Sequence, residues 1–75
     1  MTRATAERVV AGLLAASGAV NDTVRVMQAE ASGSVFQEYR KRTAEVMATI
    51  YLDLIKSIVK DFPDLDPGLE KAGVQ

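Results

Sequence analysis

The stretch Met47-Ala48-Thr49-Ile50-Tyr51-Leu52-Asp53-Leu54-Ile55-Lys56-Ser57-Ile58-Val59-Lys60-Asp61-Phe62 decides how this chain folds. Its apolar residues recur at intervals of three and four, the period of an α-helix buried along one side. Placed at about 100° per residue, Met47, Ile50, Tyr51, Leu54, Ile55, Ile58, Val59 and Phe62 spread over roughly 200° of helix surface, about twice what one neighbouring helix covers. Such a helix calls for more than one covering face.

Upstream the same helix narrows. Phe36, Tyr39, Thr43 and Val46 continue the stripe, while Glu38, Lys41, Arg42, Glu45, Thr49, Asp53, Lys56 and Lys60 occupy the other side. Glu38 and Arg42 stand in the favourable i,i+4 order. Ser34 followed by Gln37 reads as a capping box at the start, and Pro63 disfavours helix at Phe62 and removes a donor at the end. The prediction is a helix over about 35–61.

The N-terminal part carries a matching stripe. Ala6, Val9, Val10, Leu13, Ser17, Val20, Val24, Met27 and Ala31 fall within an arc of roughly 100°, which predicts a helix over about 4–31. Thr2 or Thr5 supplies its cap, and Ser32-Gly33-Ser34 a turn at 32–34. Gly18 is its weak point, since an interior Gly costs about 1 kcal/mol relative to Ala. One unbroken helix is still expected, because Leu13 before the Gly and Val20, Val24 and Met27 after it keep one phase.

Two long helices joined by so short a turn form an antiparallel hairpin over residues 1–62. Residues 63–75 are then a C-terminal tail, with room for one helical turn capped by Asp66 and begun by Pro67. The chain has 75 residues and no Cys, so its core is thin and has no disulfide to reinforce it. The expected remedy is self-association: two all-α hairpins close into a four-helix bundle, with Met47, Ile50, Tyr51, Leu54, Ile55, Ile58, Val59 and Phe62 as the dimer interface. Another protein could cover the same face. Arg40 lies inside the apolar arc and reads as a snorkelling side chain. Ala4, Ala11, Ala15 and Gly18 form a line of small residues read as exposed helix formers.

Composition narrows the chemistry. There is no His and no Cys, which removes the usual general base, the thiolate nucleophile and the commonest metal ligands. No enzyme, no catalytic residue, no cofactor and no metal are expected. Asp61, Asp64, Asp66 and Glu70 lack calcium-loop spacing, because the sixth and twelfth positions counted from Asp64 are Leu69 and Gln75 rather than Gly and Glu.

Nine basic against ten acidic residues leave a net charge of -1 and no global field for nucleic acid or anionic lipid. A local basic end remains in Arg25, Arg40, Lys41 and Arg42. It makes a nucleic-acid-binding regulator an alternative, disfavoured by the nearby Glu30, Glu38 and Glu45. An amphipathic, membrane-associating protein is the other alternative, although the polar faces are mixed in sign rather than basic. The longest uncharged run, residues 9–21, is shorter than the ~20 residues of a spanning helix, so no transmembrane segment is expected. Glu7 spoils the resemblance of the start to a secretory leader. These readings combine into a small, non-enzymatic, cytoplasmic interaction or scaffold protein whose first partner is itself.

Overall fold

The computed structural model describes residues 1–68, and these are helical with no strand among them. Helix α1 spans Arg3–Glu30 without interruption at Gly18. Thr2 is its cap, the Oγ1 accepting from the Thr5 amide at 3.2 Å. Ala31 and Ser32 are extended and make the whole connection, and α2 begins at Gly33 and runs Gly33–Thr49. The expected box at Ser34 and Gln37 does not form: Ser34 is already inside the helix, Ser32 takes the cap position without a side-chain bond, and its carbonyl accepts from the Phe36 amide at 2.9 Å. The turn is therefore earlier and shorter than 32–34.

The second rod then departs from regular geometry. A π-helical turn occupies Ile50–Ile55, and α3 follows over Lys56–Val59. The Lys56 amide donates to the Tyr51 carbonyl, five residues back rather than four. A π turn holds one residue more than an α turn, so everything beyond it is set back by about one residue, or 100°.

This corrects the wide apolar arc. On a straight wheel Leu54 lies within about 20° of Thr43 and Val59 about 160° away. In the structure Thr43, Ile55, Ile58 and Val59 are buried, Ile55 only 1% exposed, and Leu54 is 49% exposed. Setting the later residues back by about 100° returns Ile55 and Val59 to the side of Thr43. The 200° spread is two narrow stripes in different phase, joined at the π turn. Ile55, Ile58 and Val59 are therefore covered within the single chain, while Leu52 and Leu54 keep open sides.

Along α1, Ala6 and Val10 are buried and Leu13, Ser17, Val20, Val24, Met27 and Ala31 are half-buried. Val9 alone of the expected stripe is exposed. Tyr39 ties the rods together. Thr23 spends its one hydroxyl proton on the Val20 carbonyl at 2.6 Å, so Tyr39 is the donor in the 2.6 Å bond between the two hydroxyls. Buried Thr43 satisfies its hydroxyl within its own helix, its one proton shared between the Tyr39 and Arg40 carbonyls at 3.1 and 2.9 Å.

Pro63 ends the rod as expected. A 3-10 turn over Pro63–Leu65 reverses the chain, and Phe62 and Leu65 pack against Ala6, Val10 and Ile58. Residues 63–68 form a strap across the open end of the hairpin. Pro67 and Gly68 begin a helical turn; the rest of the expected turn lies outside the described residues.

Candidate interaction surfaces

The strap is held by two polar anchors. Arg3, on the first turn of α1, makes a forked contact with Asp64, one arm at 3.3 Å, and has Glu7 as a second partner at 3.6 Å. That hydrogen bond holds the Asp64 carboxyl below the usual carboxylate range and raises Arg3 in return. Tyr51, in the π turn, donates to Asp66 Oδ1 at 2.7 Å, and the same oxygen accepts from the Gly68 amide at 2.8 Å. The Tyr51 bond lowers Asp66, the Gly68 amide adding to it, and Asp66 raises the Tyr51 phenol. Lys56 stands 5.7 Å from the centre of the Tyr51 ring. Gly68 suits this close approach: a Cβ there would lie 3.0 Å from Tyr51 Oη and 3.2 Å from Asp66 Oδ1.

By its local sequence the acidic tail is a helix stop followed by a capped turn, but in the structure two of its carboxylates reach back to Arg3 and Tyr51, sixty-one and fifteen residues earlier. Nothing local signals such pairings. Among the described residues no three His, Cys, Asp or Glu side chains gather as a metal site, and Glu70 lies outside them.

Of the residues expected at a dimer interface, Ile55, Ile58 and Val59 are buried within the single chain. Met47, Ile50, Tyr51 and Phe62 are half-buried, and Leu54 is exposed. The strap shelters this face: Tyr51, Val59, Pro63, Asp66 and Gly68 line one groove, and Tyr51, Ile55, Pro67 and Gly68 share another with Leu14.

A different surface stays open. At about 100° per residue, Val9, Ala16, Val20 and Met27 fall within about 40° on one flank of α1. Val35, Tyr39, Val46 and Ile50 fall within about 60° on α2, and Leu54 continues on the same side. The Thr23 to Tyr39 bond and the groove shared by Met27, Val35 and Tyr39 show that the two flanks adjoin. Val9, Val35, Val46 and Leu54 on it are 40 to 51% exposed. From Val9 to Thr23 the α1 side of this flank carries no charge.

The basic end is less concentrated than its sequence implies. Arg25 pairs with Asp22 and Arg42 with Glu38, both at 2.9 Å. Arg40 is exposed. With Tyr39 opposite Thr23, Arg25 stands nearer the turn than Arg40, Lys41 and Arg42 do. The small residues Ala4, Ala11, Ala15 and Gly18 are exposed, and a Cβ on Gly18 would meet nothing within 4 Å.

By length and composition α1 is long and apolar enough to cross a membrane, unlike the expectation drawn from the uncharged run 9–21. The charges that bound that run do not exclude a longer window that tolerates two of them. No protein-family model, curated protein or solved structure matches the chain.

Proposed function

We propose that the chain is a small non-enzymatic interaction or scaffold protein of a reducing compartment such as the cytoplasm, acting as a homodimer of hairpins. The observation that carries this is the open apolar flank. Two helices give each other one stripe apiece, and among the described residues the buried apolar ones are only Ala6, Val10, Ile55, Ile58 and Val59, while Val9, Val35, Val46 and Leu54 face water along one side. A two-fold axis laid along that flank matches apolar to apolar and sets uncharged Gly12 and Ala16 where a second backbone can approach. The absence of His and Cys from the sequence supports a role without covalent or acid-base chemistry near neutral pH.

Sedimentation equilibrium tests it. The expected mass is about twice 8.1 kDa at micromolar concentration, and Val46→Asp, at an exposed position, yields a helical monomer. A wild-type chain that stays at 8.1 kDa would sink the reading. The length of α1 favours a second reading, association with a membrane surface, for which the chain would float with liposomes at physiological salt.

A further inference from the structure

Downstream of Met47 the sequence offers apolar residues in adjacent pairs: Ile50 with Tyr51, Leu54 with Ile55, Ile58 with Val59. A helix buried on one side needs only one of each. We infer that the second rod has two registers, and that the strapped register withholds from a second copy an apolar stripe that the other presents.

In the register seen here, the π turn over Ile50–Ile55 puts Ile55 and Val59 inside and leaves Leu54 out. Absorbing the extra residue into a continuous α-helix turns the downstream segment by about 100°. Leu54 then swings to within about 20° of Thr43, Ile58 stays inside at about 60°, and Ile55 and Val59 move out to about 120° and 160°, alongside Tyr51 at about 80°. Both registers therefore bury apolar side chains. What favours the observed one is the strap, whose Asp66 holds the Tyr51 hydroxyl and whose Asp64 holds Arg3. The Arg3 and Asp64 side chains are 51% and 58% exposed, and solvent-accessible pairs of this kind hold weakly.

The released stripe has a pattern that points to a copy of itself. With Ala44, Ala48 and Leu52 alongside, the outward face from Ala44 to Val59 is uncharged. Run antiparallel against an identical helix about a two-fold centred between Tyr51 and Leu52, it sets Ala44 against Val59, Ala48 against Ile55, and Tyr51 against Leu52. Small meets large at each outer level, the condition for two helices to interdigitate. This surface lies on the opposite side of the rod from Val46 and is independent of the flank association proposed above.

The test uses the full chain carrying Val46→Asp, which removes the flank dimer, and the absence of native Cys. A single Leu54→Cys reports the register by its rate of thiol alkylation. Arg3→Gln with Asp66→Asn unlatches the strap, read as lost amide protection at Leu65. Unlatching is expected to slow Leu54→Cys alkylation at least tenfold and to double the sedimenting mass. Adding Ala48→Glu, at an exposed position, should abolish the doubling while the thiol stays slow. A strap that remains docked after both substitutions, or an alkylation rate that does not fall once it is released, overturns the two-register proposal. A slowed thiol without any gain in mass overturns the second copy as the occupant.

Discussion

The two ends of the hairpin are made of the same material and packed differently. At the turn end, Val24, Met27, Phe36 and Tyr39 are all half-buried. At the open end, Ala6, Val10, Ile55, Ile58 and Val59 are buried, with Ile55 at 1% exposure. The difference is a third element. Two helices side by side leave each apolar side chain with one edge in water, and only where residues 62–68 lie across both rods is that edge removed. A short strap thus does for one end of this molecule what a second hairpin would do for all of it.

The hardest way to break that contrast is to hollow out the better-packed end. Ile55→Ala should destabilise the chain by about 2–5 kcal/mol, the range for truncating a fully buried aliphatic residue. Leu54→Ala, one position away and half in water in the single chain, should cost far less; urea titrations of the two variants, both on the Val46→Asp background so that no flank dimer covers Leu54, compare them directly. Equal losses would mean that the π turn is absent in solution.

Next in size is release of the strap by pH. Asp64 and Asp66 are held below their ordinary value, so their contribution is complete above about pH 4 and disappears as pH falls through the lowered values. Tyr51 is raised, so its bond is kept up to its ordinary value of about 10 and lost as pH climbs past the raised one. NMR shifts of the Leu65 and Asp66 amides should hold steady between those limits and move outside them. The turn-end amides of Phe36 and Tyr39 should not track the acid step.

Smaller effects test the frame on which both ends hang. Thr2→Ala removes the cap of α1 and should cost about 1 kcal/mol in thermal or denaturant unfolding. Gly18→Ala meets open space and should gain up to about 1 kcal/mol. A loss there would show that something packs against that face in solution.

Much of the fold is legible in the residues themselves. The α1 stripe is a straight helix read at a constant step, and eight of its nine expected positions, all but Val9, are at least half-buried. The cap at Thr2, the stop at Pro63 and the Glu38 to Arg42 pair come from local chemistry and are present. The second rod is legible as far as Met47 except at Val46, which the stripe places inside and which is 51% exposed because it lies on the flank of α2 away from the buried Thr43. Beyond it the constant step fails, and the trace of that failure in the sequence is the run of apolar doublets, which mimics a broad face. The strap's anchors are hidden for another reason: an aspartate's pairing with an arginine sixty-one residues away has no periodicity to reveal it.

The sequence by itself determined two amphipathic helices, their antiparallel turn and the chemistries that a chain without His or Cys gives up, because these depend on neighbours within a few residues. The tertiary structure alone decided which member of each apolar doublet is inside and where the tail comes to rest. Adjacent helix positions differ by about 100° but scarcely in hydrophobicity here, so the choice between them falls to contacts made across the fold.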